Sequence, residues 1–339
     1  MKWIAHRSCS LYALCDDVTS NGAGISLRVV LELREIMALG TFNLRLDGID
    51  TVTFEEEAVG AYEVVTIDDQ RPYLVKRLHH SLKHVPRSQR TSIHELERRF
   101  RDECVLLSQL RHPNIVHFVG VVQYGSNQDD KALIMEYLDT DLARCLESQT
   151  NIPIDVKLSI LLDVSYGLLY LHTHSPPVIH QNLSASNILL TRDKHAKIAD
   201  FSVSDFLDPD PHPQATVMQV KCPGTPCYMP PEALKENPKY DEKLDIFSFG
   251  HLALYVINQI FPEVFEFTPI VLHEGTLQIL KRQKAIDEMG RDHCLHEVVT
   301  KCLQDNPKKR PTTLELSEML KHLCMKHPRE HQDLSEVSL

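Results

Sequence analysis

The 339-residue chain lacks several features, and each absence removes a class of protein. It has no surplus of positive charge: 36 lysines and arginines stand against 47 aspartates and glutamates, a formal net charge of -11. No basic block outweighs that acidic field, which argues against a nucleic-acid partner or an anionic membrane surface. It has no apolar run long enough to cross a bilayer, which needs about 20 residues. The most apolar stretch, Phe247 to Phe261, is interrupted by His251, Asn258 and Gln259 and is expected to be a buried helix. The start, M-K-W-I-A-H-R-S-C, has no continuous apolar core, because His6 and Arg7 break it at once. Paired metal spacing is missing too: Cys222 and Cys227 have no matching second pair among nine scattered cysteines. Reduced thiols packed as small hydrophobes are the expectation, and with them a soluble, cytoplasmic protein. There is no internal repeat and no low-complexity tract.

What is present is patterned in two parts. From Phe54 to Leu78, short alternating runs (A-Y-E-V-V-T-I, P-Y-L-V-K-R-L) are separated by D-D-Q-R-P, the signature of antiparallel strands with turns. A charged helix is expected from Ser92 to Leu110, with Leu96, Phe100, Val105 and Leu107 on one side. H-P-N-I-V-H-F-V-G-V-V and K-A-L-I-M-E-Y-L read as two further strands. Past Asp139 the pattern turns helical, beginning with a long amphipathic helix over Asp155 to Leu171. A sheet with one helix followed by a larger helical half indicates an α+β, two-lobed fold. The expected division is an N-terminal segment of unassigned role (1–51), a domain at 52–325 with lobes 52–138 and 139–325, and a polar tail at 326–339.

The order of motifs resembles a eukaryotic protein kinase domain, over about Phe54 to Cys324. H-Q-N-L-S-A-S-N-I-L-L and G-T-P-C-Y-M-P-P-E-A give it a tyrosine-kinase-like flavour. The resemblance implies ATP and Mg2+ as cofactors and proteins as partners. It places Lys76 at the strand lysine that grips the nucleotide phosphates, and Glu103 at the helix glutamate that holds that lysine. It also places Gly60, Val65, Leu74, Met135, Glu136, Leu138 and Leu189 at the nucleotide, and Asn187 and Asp200 at the metal. An amide oxygen and a carboxylate suit a hard cation already bound to phosphate oxygens. Glu232 in P-P-E and Arg310 in N-P-K-K-R-P-T match a buried structural ion pair. Asp245 matches the aspartate that holds the catalytic-loop backbone. Leu107, Phe118, His180 and Phe201 match four stacked alignment residues.

The scaffolding matches; the chemistry does not. Where the family has the catalytic aspartate this chain has Asn182, a neutral amide that takes no proton near pH 7. Loss of a general base costs ~10²–10⁴-fold in rate. The preceding arginine is Gln181, and Ser184, Ala185 and Ser186 fill the span where the family carries a lysine or arginine. No cation remains in the loop to offset charge on a transferring phosphoryl group. In the glycine-rich loop, aligned as A-V-G-A-Y-E-V-V, only Gly60 survives, and Glu63 is expected to bring a carboxylate towards the phosphates. Leu74 replaces the alanine that roofs the adenine, and Ser202 replaces the glycine of D-F-G. Two readings follow. One is a pseudokinase acting as a scaffold or allosteric regulator, with weak or absent ATP binding. The other is a weakly active ATP-dependent protein kinase acting on Ser/Thr or Tyr.

Overall fold

The computed structural model describes residues 11–14, 28–31, 52–59, 62–67, 71–77, 93–123, 131–149, 151–206, 228–234, 241–259 and 282–329. The chain folds into two compact units. One comprises Met1–Arg111 with Val116–Leu138, the other His112–Ile115 with Asp139–Leu339. Gly60, Cys222, Cys227 and the tail beyond Arg329 lie outside the described residues.

In the first unit β1 (Leu11–Leu14) and β2 (Arg28–Leu31) form an antiparallel pair. The alternating runs become β3 (Val52–Val59), β4 (Tyr62–Ile67), β5 (Arg71–Arg77), β6 (Phe118–Gln123) and β7 (Lys131–Glu136). They form one antiparallel sheet in the order β3-β4-β5-β7-β6. Alternation sends Leu74 to one face of β5 and Tyr73 and Val75 to the other. The charged helix is α1 (Ile93–Gln109). Phe100, Cys104 and Leu107, spaced four and three apart, are buried, so the apolar stripe runs through Cys104. Val105, expected on that stripe, sits one residue round the helix and is half-buried.

The second unit is mainly helical: α2 (Leu142–Ser148), α3 (Ile154–His172), α4 (Lys243–Asn258), α5 (282–289), α6 (His296–Cys302) and α7 (Thr313–Lys326). Its strands are β8 (Thr140–Asp141), β9 (Val178–Ile179), β10 (Ile188–Leu190), β11 (Ala196–Ile198) and β12 (Asp205–Phe206). β11-β10-β8 make one small sheet, and β9 pairs with β12. The apolar stretch noted above lies in α4 as far as Asn258, with residues 260–261 outside the described residues; the helix is buried on nearly every side, with Phe247 and Phe249 fully enclosed. Each such side chain contributes roughly 1.5–3 kcal/mol by leaving water. Among the described residues no helix is long and apolar enough to cross a membrane.

Two glycines set the spacing of this core. A β-carbon on Gly250 would stand 2.8 Å from Cys302 and Leu303, so α4 touches α6 only because the side chain is absent. A β-carbon on Gly167 would stand 2.8 Å from the Asn114 carbonyl and from Ile198. Helix α7 begins at a reciprocal cap. Thr312 Oγ1 accepts from the Glu315 amide, and Glu315 Oε2 accepts from the Thr312 amide at 2.7 Å.

The Glu232–Arg310 pair expected from sequence is formed. Arg310, 3% exposed, donates through Nη1 and Nη2 to the two Glu232 oxygens, the Nη2 bond being 2.8 Å. It also donates to the carbonyls of Lys243 and Gln304 and lies 4.7 Å over the Phe247 ring. Every donor direction of the guanidinium is engaged at burial, so removing one partner strands a charge. Glu232→Ala is expected to lower the unfolding free energy of this unit by about 3–5 kcal/mol. Pairing it with Arg310→Met should recover much of that loss. Urea denaturation of the three proteins measures both effects.

Candidate active site

Of the nucleotide-side residues expected in the first unit, Leu74, Lys76 and Met135 share one face of its sheet, while Val65 and Glu136, both paired with Tyr73, belong to the other. Leu74 lies opposite Val64 on β4 and Met135 on β7, and Lys76 lies opposite Leu133. Lys76 shares the face of Leu74, two residues along β5. Its ammonium donates to both oxygens of Glu103, each at 2.9 Å, with the glutamate side chain 2% exposed. The pair ties β5 to α1 within this unit. Leu74 has no exposed surface, and Val64, Met135, Leu133 and Leu138 are likewise buried. Glu136 accepts from the His117 amide at 2.8 Å, and its own amide donates to the His117 carbonyl at 3.0 Å.

Register changes two sequence expectations here. Val65 pairs with Tyr73, one step away from Leu74, so the residue that shares the Leu74 face is Val64. Glu63 pairs opposite Val75, on the face away from Lys76, and its carboxylate is gripped by the Arg77 guanidinium. The carboxylate expected near the phosphates is therefore neutralised on the other side of the sheet. β3 and β4 meet with Val59 opposite Tyr62, leaving only residues 60 and 61 between the strands.

In the second unit the stretch from Val178 to Leu190 forms β9, a turn, a single 3-10 turn at Ala185–Asn187, and β10. Asp245, in the first turn of α4 and wholly buried, anchors it. The carboxylate accepts from the amides of His180 (2.8 Å) and Gln181 (2.9 Å) and is bonded to His172 Nε2 (2.9 Å). Burial alone would raise its pKa; the hydrogen bond and electrostatic field of His172 outweigh it and hold the carboxyl below its ordinary value. Held there, Gln181 adopts φ 65° in the left-handed region, a strained conformation for a residue with a side chain. His172 itself was not legible as part of the loop, because its partners Asp245 and Thr313 are 73 and 141 residues away.

His180 is fully buried and packs edge-on against Phe201 at 4.8 Å between ring centres. Its Nε2 donates to the Ala199 carbonyl at 3.0 Å, since a carbonyl only accepts, and Nδ1 accepts from the Asn182 amide at 3.3 Å. Both nitrogens are used, and the ring is the neutral Nε2–H tautomer. Leu107 and Phe118, the other two alignment positions, are buried in the first unit.

The Asn182 side chain donates through Nδ2 to Asp200 Oδ2 at 2.9 Å. Asn187 Nδ2 donates to the Asn182 carbonyl at 2.8 Å, which turns the Asn187 amide oxygen the other way. Asp200 has φ 62°, which aspartate tolerates better than most residues, whereas Ser202 has no positive φ and takes the glycine position without that strain. Leu189 is fully buried and pairs with Asp141. A shallow recess too small to enclose a water molecule lies beside Asn182, bounded by Tyr228, Met229, Pro230 and Leu244. The donor types at Asn187 and Asp200, one amide oxygen and one carboxylate, fit a magnesium ion that also holds phosphate.

A lysine fixed by a helix glutamate on an antiparallel sheet, and a loop slung from a buried aspartate, define a protein-kinase scaffold. Residues 61–325 match the protein kinase domain. A putative leucine-rich repeat receptor-like serine/threonine-protein kinase of Arabidopsis thaliana is 29% identical over 271 residues, 75% of this chain and 28% of the relative. Serine/threonine-protein kinase 12 of Arabidopsis thaliana is 30% identical over 239 residues, 69% of this chain and 50% of the relative. Dual specificity testis-specific protein kinase 2 of Mus musculus is 29% identical over 234 residues, 67% of this chain and 38% of the relative. The chain thus belongs to the eukaryotic protein kinase family, whose domains bind ATP with Mg2+, and it matches half or less of the length of these relatives.

The neutral state of His180 has a pH consequence. Burial lowers its pKa below 6.5. Below about pH 6.5 the unfolded chain takes up a proton that the folded chain does not. The stabilisation from this group is whole above that pH and is lost as the pH falls towards the folded value. His180→Phe is expected to reduce the acid-side slope of stability, by up to about 1.4 kcal/mol per pH unit. Denaturant titrations between pH 5 and 7 check it; an unchanged slope would contradict the buried neutral ring.

Proposed function

We propose that this chain is a pseudokinase of tyrosine-kinase-like character, acting as a signalling scaffold or allosteric regulator of a protein partner in the cytoplasm. The observation that carries this is Asn182, at the position of the catalytic aspartate, with its amide N–H directed at Asp200. The atom that faces the metal-ligand carboxylate is a donor, and the side chain accepts no proton. Gln181, Ser184 and Ser186 add no charge to the loop. The reading of the motifs H-Q-N-L-S-A-S-N-I-L-L and G-T-P-C-Y-M-P-P-E-A supports the grouping.

Weak or absent ATP binding is part of the proposal. Leu74, at the position of the adenine roof, is larger than alanine and completely buried, with apolar Val64 and Met135 as its cross-strand neighbours, which supports a purine site narrowed by side-chain bulk. Lys76 and Glu103 would orient the phosphates. Asn187 and Asp200 would hold the magnesium ion, which supplies charge neutralisation of the phosphates when bound.

A second reading, a weak protein kinase, has its own support. The Lys76–Glu103 pair is formed at 2.9 Å, and phosphoryl transfer depends largely on positioning and electrostatics. The two readings part in a phosphotransfer assay with labelled ATP, Mg2+ or Mn2+, and a generic protein substrate. Label incorporation equal to that of Lys76→Met is expected; incorporation clearly above that variant makes the chain a kinase. In thermal shift with ATP and Mg2+, a ligand at 100-fold above its Kd stabilises by roughly 2.7 kcal/mol. The chain is expected to show no such shift and Leu74→Ala to acquire one. A full shift in the unaltered protein sinks the filled-pocket argument.

A further inference from the structure

Asn182, Asn187, Ala199 and Asp200 close a ring of hydrogen bonds in the second unit. Asn187 Nδ2 donates to the Asn182 carbonyl at 2.8 Å, the Ala199 amide donates to the Asn187 carbonyl at 2.9 Å, and Asn182 Nδ2 donates to Asp200 at 2.9 Å. The orientation of the Asn182 amide is settled by chemistry, because a carboxylate offers only acceptors. Asp200 sits at φ 62°, a left-handed conformation that costs an ordinary L-residue roughly 1–2 kcal/mol and persists only where neighbours hold it. With a carboxylate at position 182, two anionic oxygens would meet at hydrogen-bond distance, a contact that needs a cation or a proton between them. Here the contact is a donor meeting an acceptor.

We propose that Asn182 is a positioning residue that stands in for a divalent cation at Asp200. Its amide holds the Asp200 turn in place without metal, and it presents a partial positive charge where a cation would approach Oδ2. The substitution that removes the base thereby also makes the turn metal-independent, and metal binding at Asp200 competes with the Asn182 bond. This holds whether or not the chain transfers phosphate, so it stands or falls separately from the pseudokinase reading.

The test uses the full chain without nucleotide, reading melting temperature in EDTA and in Mg2+, and Mn2+ binding by electron paramagnetic resonance. The unaltered protein is expected to melt at one temperature in both buffers. Asn182→Asp should melt lower in EDTA, regain stability with Mg2+, and bind Mn2+ at least about tenfold more tightly than the unaltered chain. Adding Asp200→Asn to that variant should abolish the gained Mn2+ binding. Equal Mn2+ affinity in the unaltered and Asn182→Asp proteins would overturn the proposal, as would a Mg2+-dependent melting temperature in the unaltered one. If Asn182→Asp does not fold, Asn182→Ala decides by hydrogen exchange. Faster exchange confined to the amides of Phe201 to Ser204 supports the amide as the clamp, and unchanged exchange there refutes it.

Discussion

Three hydrogen bonds converge on the Asp245 carboxylate where no solvent reaches it, and the loop from Val178 to Leu190 hangs from them. Because α4 is buried on nearly all sides, its first turn does not move independently of the helical core. That rigidity passes to the amides of His180 and Gln181, holds Gln181 in its left-handed conformation, and sets His180 against Phe201 and Ala199. Remove the carboxylate and two backbone amides and a histidine lose their acceptor together, at a cost of several unmade hydrogen bonds. The position of Asn182, and so its contact with Asp200, follows from this anchor.

The molecule separates architecture from chemistry. The interactions that shape a kinase are complete: Lys76 with Glu103, Glu232 with Arg310, Asp245 with its loop. On the proposed reading, the groups that would move a proton or offset charge on a phosphoryl group have no counterpart in the loop that Asp245 holds, where Gln181, Asn182, Ser184 and Ser186 are uncharged. Breaking a buried ion pair or a carboxylate anchor destabilises a fold by several kcal/mol. An amide at position 182 carries no such penalty, because it forms a hydrogen bond to Asp200.

What could be read from the chain alone followed from how local each signal is. Strands β3 to β7 and helices α1, α3 and α4 were legible because their apolar spacing repeats within a few residues, whereas β1, β2, β8, β11 and β12 are too short to carry such a repeat. Lys76, Glu103, Asp245 and the Glu232–Arg310 pair were legible because they lie in short recognisable motifs in a fixed order. Register was not: a one-residue step decides whether Val64 or Val65 shares a face with Leu74, and a lone Gly60 does not set it. Glu63 misled for the same reason, since its partner Arg77 is chosen by strand pairing and not by sequence distance. His172 and the Asn182–Asp200 bond are contacts across the fold, invisible to spacing.

On the proposed reading the loop retains its form without its chemistry, and Leu74 occupies the adenine roof. The most direct measurement is the phosphotransfer rate of a chain carrying Asn182→Asp, Gln181→Arg, Ser184→Lys and Leu74→Ala, set beside the unaltered protein. Restoring base, cation and pocket together is expected to raise the rate by about 10²–10⁴-fold. An unaltered protein that already transfers phosphate as fast as the restored one would contradict it.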